Sequence, residues 1–427
     1  MKKIRVAVFS VTAILSLAAC NFTPGGQGEK SNPISLPKGD SRIALVDPSN
    51  TSMVSENVKN YVDAMREQQE TLGIDPYVYT ALEGNDFVSV ENYLDKGDVN
   101  GVNRSTGSIP DRSDKNMGID LAFSVSEDLT QEKYQIYLGR KADLSDAKEY
   151  ETDQLSLNVN NLLVNTDYYW RVKAGNTESD VHTFKTGDYP RWISARPLFN
   201  VRDNGGYMTS SGKRVRQGLV FRGGEITTMN GGGHYNTISE SSKEVFRNVM
   251  KIGVELDLRG PSDIGDGYKA NAFAENGDIE YKQYAIKSYE QTFTQTRSMI
   301  APIFEILKEA DQKPVYYHCF GGADRTGTLG FLLNGVLGVS YTDLIIDFEL
   351  TSYSSIDNEH IRNHMSGHQH QYDRWPALIN QIKTDTTGGY KYDENASLKD
   401  NIESFLVKAC SVPQETINTI RDIMLVD

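Results

Sequence analysis

Residues 314–328 read Pro314-Val315-Tyr316-Tyr317-His318-Cys319-Phe320-Gly321-Gly322-Ala323-Asp324-Arg325-Thr326-Gly327-Thr328, and this stretch decides the fold. Pro314–His318 is a short apolar run of the kind a buried strand shows, and Thr326–Gly338 (TGTLGFLLNGVLG) reads as a helix. Between them lies a strand-to-helix turn. At such a turn successive backbone N–H groups can curl around an anion, and the helix N-terminus adds its positive dipole. Gly321 and Gly322 permit the backbone shape and a close approach. A cysteine placed in that field is the usual source of a nucleophilic thiolate. Arg325, six residues beyond Cys319, can return to the cradle and grip two phosphate oxygens in a bidentate fork. Eight residues thus hold a nucleophile, an oxyanion cage and a neutralising charge.

Outward from this turn, Val254-Glu255-Leu256-Asp257-Leu258 is a second apolar strand, while Ser298–Ala310 and Thr342–Leu350 have helical patterns. Alternation of this kind from about residue 190 to 427 implies an α/β domain, a parallel central sheet with flanking helices. Upstream, over 118–187, short alternating runs separated by turn residues (Ile119–Val125, Tyr134–Leu138, Leu155–Val159, Tyr168–Ala174, Val181–Lys185) predict a smaller all-β sandwich. Leu162–Ala174 (LLVNTDYYWRVKA) with His182-Thr183-Phe184-Lys185-Thr186 resembles the last strands of a fibronectin type III-like module. Tyr168, Tyr169 and Trp170 are expected in its core. Residues 52–66 carry Val54, Val58, Tyr61, Val62 and Met65 as one amphipathic stripe; the rest of 51–117 is left unassigned.

Cys319-x5-Arg325, with His318 before and Thr326 after, resembles the signature of cysteine-dependent protein tyrosine phosphatases. Asp324-Arg325-Thr326-Gly327 resembles more narrowly a bacterial secreted subfamily that also has lipid and phosphoinositide phosphatase activities. Asn200–Gly206, Gly218–Gly224 and Leu256-Asp257-Leu258-Arg259 are similar to that subfamily's opening pattern and central strand. The resemblance spans roughly 195–425. It implies Cys319 as nucleophile, and Phe320, Gly321, Gly322, Ala323 and Arg325 as the phosphate cradle. Thr326 would donate to the sulfur, and His318 would brace the loop. The subfamily's acid matches Asp324, with Glu290 and Asp257 as alternatives, since Ala285–Glu290 holds no aspartate. Relatives acting on phosphoinositides carry lysines where Phe320 and Ala323 stand, which weighs against a multiply phosphorylated inositol. Arg202, Asp203, Arg222, Asp257 and Arg259 surround the loop in this reading. Each of the three arginines either supplies charge to substrate or makes a structural ion pair.

The composition fits this reading. At 427 residues the chain holds two or three domains. A net charge of -14 removes any global attraction for nucleic acid, so a phosphorylated peptide, protein or small molecule must be captured locally. Residues 1–19 form a basic, then apolar secretory signal, too short to remain as a spanning helix. Leu17-Ala18-Ala19-Cys20 resembles a bacterial lipobox, so Cys20 is expected to carry lipid and 20–50 to be a tether at the cell envelope. The membrane is then met through that anchor alone. Of three cysteines, Cys410 reads as a small core residue. No cofactor is implied. His360, His364, His368 and His370 lie around a helix-breaking Gly367 and read as a polar loop, not a metal site; residues 230–234 read as a loop as well. The sum is a phosphatase that hydrolyses phosphate monoesters through a phosphocysteine. Its alternatives are an inositol phosphate phosphatase and a catalytically silent surface-binding lipoprotein.

Overall fold

The computed structural model describes residues 36–72, 116–226, 238–264, 279–354 and 374–427. The signal, Cys20, the histidine run and residues 230–234 lie outside the described residues.

Period-two alternation builds the N-terminal half. Strands Ile43–Val46 (β1), Ile119–Val125 (β2), Tyr134–Gly139 (β3), Lys148–Thr152 (β4), Ser156–Val159 (β5), Asp167–Ala174 (β6), Thr177–Glu178 (β7) and His182–Lys185 (β8) form two sheets. One has the order β1-β2-β5 and the other β4-β3-β6-β7, with β8 also on β6, and every pair is antiparallel. Ile43, Leu121, Phe123, Ile136, Leu138, Trp170 and Val172 share one core between them. Two expectations change. Tyr169 faces outward, because the buried residues of β6 are Tyr168, Trp170, Val172 and Ala174, the opposite face of the strand. Residues 43–46, read as tether, are instead an edge strand registered Ile43↔Val125 to Val46↔Ala122. Four residues with no alternation look the same in a tail and in an edge strand, and only pairing tells them apart.

Helix Glu56–Leu72 (α1) follows β1 yet leaves the sandwich. Val54, Val58, Tyr61, Val62 and Met65, all at most 3% exposed, join the core of the C-terminal half. Tyr61 lies 5.6 Å from the Tyr353 ring, and Arg66 donates to Asp343 Oδ1 at 3.0 Å and to the Asp188 carbonyl at 2.6 Å.

The C-terminal half is organised by the sheet β13-β12-β14-β11-β9. Its strands are Arg202–Asp203 (β9), Val220–Gly223 (β11), Val254–Asp257 (β12), Glu280–Gln283 (β13) and Val315–His318 (β14); Arg214–Val215 (β10) pairs with the last strand, Leu425–Val426 (β15). The pairs β11–β14, β14–β12 and β12–β13 are parallel, and only β9 runs against its neighbour. Side chains alternate between two cores: Val220, Leu256 and Tyr317 on one face, Phe221 and Tyr316 on the other. Helices Glu240–Glu244 (α2), Pro261–Ile264 (α3), Glu290–Gln295 (α4), Ile300–Leu307 (α5), Asp324–Leu337 (α6), Tyr341–Glu349 (α7), Arg374–Thr384 (α8), Leu398–Lys408 (α9) and Gln414–Met424 (α10) complete it. Register places Gly223 and Asp257 opposite His318, so three strands end together beside Cys319. Open α/β sheets bind ligands at that carboxyl edge. Among the described residues no helix is long and apolar enough to cross a membrane.

Arg191 fastens the two halves. Its guanidinium donates to the Leu162 and Asn161 carbonyls of the sandwich at 2.9 and 2.8 Å and to Asp203 Oδ2 at 2.6 Å. Asp203 also accepts from the Gly205 and Gly218 amides, so this residue, expected around the reactive loop, ties the halves together instead.

Because α1 packs into the C-terminal core, Met65→Ala should destabilise that half by about 2–5 kcal/mol in urea unfolding. A loss below about 0.5 kcal/mol would detach the helix from the core.

Candidate active site

β14 ends at His318 and α6 begins at Asp324, so Cys319–Ala323 make the turn. Ala323 occupies the N-cap and offers no side-chain cap, leaving first-turn N–H groups to another acceptor. The carbonyls of Cys319, Phe320, Gly321 and Gly322 are each anchored in the scaffold. His318 Nδ1 lies 3.1 Å from the Cys319 carbonyl, which can only accept, so Nδ1 carries the proton. Glu225 N donates to the Phe320 carbonyl at 2.9 Å. Asn200 Nδ2 reaches the Gly321 and Gly322 carbonyls at 2.9 and 3.1 Å, and Arg222 Nη2 also donates to Gly322 at 3.1 Å. A trans peptide is planar, with its N–H opposed to its C=O. Four carbonyls held outward therefore turn the N–H groups of residues 320–323 toward the concave side. Gly322 has φ +66°, and a Cβ there would lie 2.4 Å from the Gly223 carbonyl carbon, so only glycine fits.

Around this cradle the structure gathers Cys319, buried at the start of the turn, and Arg325, whose Nη1 meets Asp263 Oδ2 at 2.5 Å. Burial works against the Arg325 charge, but the facing Cys319 and Asp263 outweigh it and raise its pKa. Burial likewise opposes the Asp263 charge, yet the Gly260 amide and Arg325 hold its carboxyl below the usual range. Thr326 Oγ1 is buried and has no hydrogen-bond partner among the described residues. That leaves a hydroxyl at the cradle's end with its bonding capacity unspent. Asp324 is half-buried at the first position of α6, and Tyr289 donates its phenol O–H to Asp324 Oδ1.

The residues expected around the loop turn out to be its foundations. Arg202, Arg222 and Arg259 are each fully buried. Arg222 pairs with Asp347 Oδ2 at 2.5 Å, while Arg202 reaches the Asp347 carbonyl at 3.0 Å and bonds Asn200 Oδ1. Burial opposes the Asp347 charge, but Arg222 and Arg202 keep its carboxyl below the usual value. Arg259 is held by Asp257 at 2.8 Å and Glu225 at 2.5 Å. For these three arginines the structural ion pair is the reading that holds. Asp257 is unsuited as a proton donor: it is fully buried, and despite that burial the nearby His318 and Arg259 hold its carboxyl below the ordinary value. Glu290 opens α4 beside Tyr289. Cys410 is buried, and burial pushes its thiol up to about 12.

Sequence reasoning missed Asp263, Tyr289, Glu255 and Asp347. Glu255 Oε1 lies 3.1 Å from His318 Nε2, both fully buried, and so fixes the imidazole from behind. Its signal was a carboxylate inside an apolar strand. Among the described residues no cluster of three or more His, Cys, Asp or Glu could hold a metal.

Asp347→Asn should cost about 3–5 kcal/mol at neutral pH, because it leaves two buried guanidinium groups without their counter-charge. The folded-state pKa lies below the ordinary 3.8. The carboxylate's contribution is therefore present above 3.8 and is lost as the pH falls through the lower folded value. Thermal melts should show the variant's deficit shrinking as the pH falls below 3.8; a deficit constant from pH 7 to pH 3 would contradict the pairing.

The PP-IP phosphatase SIW14 core catalytic domain from S. cerevisiae, solved with citrate, is 13% identical over 42% of this chain and 93% of its own, with a TM-score of 0.24. Tk-PTP in the active form is 18% identical over 32% of this chain and 83% of its own, with a TM-score of 0.21. No curated protein matches the chain. Residues 193–426, more than half of the sequence and the whole of the sheet just described, match the family model described as "Tyrosine phosphatase family". The chain belongs to the tyrosine phosphatase family.

Proposed function

We propose that this protein hydrolyses phosphate monoesters through a phosphocysteine on Cys319, with phosphotyrosine in peptides as the leading substrate class. The observation that carries the reading is the turn whose first four carbonyls are drawn to the scaffold, beside a buried thiol and a partly buried guanidinium. The cradle's amides and Arg325 take the phosphate oxygens. The Cys319 thiolate attacks phosphorus in line, the bond to the leaving oxygen breaks, and Asp324 gives that oxygen its proton. Water then attacks the phosphocysteine, Asp324 takes the water's proton, the S–P bond breaks and phosphate leaves. Thr326 Oγ1 is the donor for the departing sulfur.

Substrate choice rests on charge. Arg202, Arg222 and Arg259 are committed to Asp347, Asp257 and Glu225, so none of them serves a second phosphate. Lys287, exposed on the loop before α4 and close enough to help lower the Asp263 pKa, is a cation on this side of the site. It suits an acidic peptide flank. The sandwich is read as a fibronectin type III-like spacer, and the N-terminal sequence as a signal and a lipid anchor on Cys20 at the cell envelope.

Purified, reduced protein should release phosphate from phosphotyrosine peptides, and Cys319→Ser should release none while melting like the wild type. Residual turnover in that variant sinks the phosphocysteine. Inositol hexakisphosphate or phosphoinositides outranking the peptides would transfer the assignment to inositol substrates. No release from any compound would favour a binding protein built on this fold. Fatty-acid labelling of cells should mark the wild type and not Cys20→Ala; an unlabelled wild type removes the anchor.

A further inference from the structure

We infer that Tyr289 is a positioning residue for the proton donor, fixing one carboxyl oxygen of Asp324 so that the other faces the leaving group. The inference rests on Asp324 being the acid, as proposed above. Three observations converge on it. The phenol O–H donates to Asp324 Oδ1. The backbone of Tyr289 is strapped to the same turn: its N–H donates to Thr328 Oγ1 at 3.0 Å, and that hydroxyl donates to the Asp324 carbonyl at 2.9 Å. Tyrosine and aspartate are thereby linked twice, through the side chains and through Thr328. Finally, Tyr289 holds φ 53° and ψ -131°, a conformation that glycine takes freely and other residues keep only where their surroundings over-determine it.

Those surroundings are rigid. Tyr289 is buried, with its ring 6.0 Å from that of Phe348. The loop leading to it is stitched to the end of β12 by Tyr284 N to the Asp257 carbonyl at 2.9 Å and Ile286 N to the Leu258 carbonyl at 3.2 Å. Lys287 N reaches Thr296 Oγ1 at 2.9 Å. A half-buried carboxyl at the first position of a helix would otherwise sample several rotamers. Anchored at Oδ1, it presents Oδ2 in one direction. The proton that moves is that of the Asp324 carboxyl, which passes to the leaving oxygen as the P–O bond breaks. The phenol keeps its own proton throughout. Positioning of this kind matters in proportion to the need for protonation.

The experiment compares Tyr289→Phe, Asp324→Asn and the double variant on phenyl phosphate and nitrophenyl phosphate. The second of these has a leaving group that needs little protonation. Asp324→Asn should lower kcat for phenyl phosphate by about 10²–10⁴-fold and for nitrophenyl phosphate far less. Tyr289→Phe, which keeps the ring against Phe348 and should melt like the wild type, should lower the phenyl rate roughly tenfold with the same selectivity. The double variant should be no slower than Asp324→Asn alone. Equal losses on both substrates for Tyr289→Phe, or losses that multiply in the double variant, overturn the positioning role while leaving Asp324 as the acid. A non-selective Asp324→Asn instead overturns the acid assignment, and this inference with it.

Discussion

Arg222 holds together the two parts of the molecule on which the rest depends. One edge of its guanidinium sits on the Asp347 carboxylate of α7, and the other on the Gly322 carbonyl of the reactive turn. A buried cation is tolerable only when paired, so the ion pair and the turn stand or fall together. Arg202 shares the same carboxylate, and its pKa is drawn down to about 10 by burial and by Arg222 beside it. Two guanidinium groups around the Asp347 carboxylate, and two carboxylates around Arg259, set a fixed field of paired charges under the cradle, in a region water does not screen. That field is oriented before any substrate arrives, so no reorganisation is needed when an anion binds.

What sequence alone could reach was whatever is written locally. The β14-turn-α6 unit was legible because an apolar run, two glycines and a helical pattern follow one another within 25 residues. Most sandwich strands were legible from alternation. The edge strand β1 was not, since four residues carry too little period. In the site, Cys319, Asp324, Arg325, Thr326 and His318 lie on one segment and were found together. Asp263, Tyr289, Glu255 and Asp347 come from elsewhere in the chain, and apart from the carboxylate of Glu255 inside an apolar strand nothing in their own neighbourhoods announces the contact. Asp347 sits in an ordinary amphipathic helix; only packing shows that α7 brings it beneath β11.

The arginines teach the same lesson in reverse. Arg202, Arg222 and Arg259 looked like surplus charge near a phosphate site, and each had a structural alternative. Burial decides between the two, because a fully enclosed guanidinium must spend its donors on the scaffold. What the cradle can offer an anion is therefore backbone dipoles and one partly exposed arginine, while the buried charges stay paired behind it.

The path of α1 has a mechanical meaning. The backbone leaves the sandwich after β1, enters the C-terminal core as α1, returns by β2 and crosses again after β8. Three covalent passages lace the two halves, so cutting any one linker would leave them stitched by the others. Pulled from the N-terminus, the chain would load β1 in shear across its ladder to β2 before force reached the catalytic sheet. Excised as residues 118–187, the sandwich would lose that strand and present the bare edge of β2, an open template for pairing with a second copy.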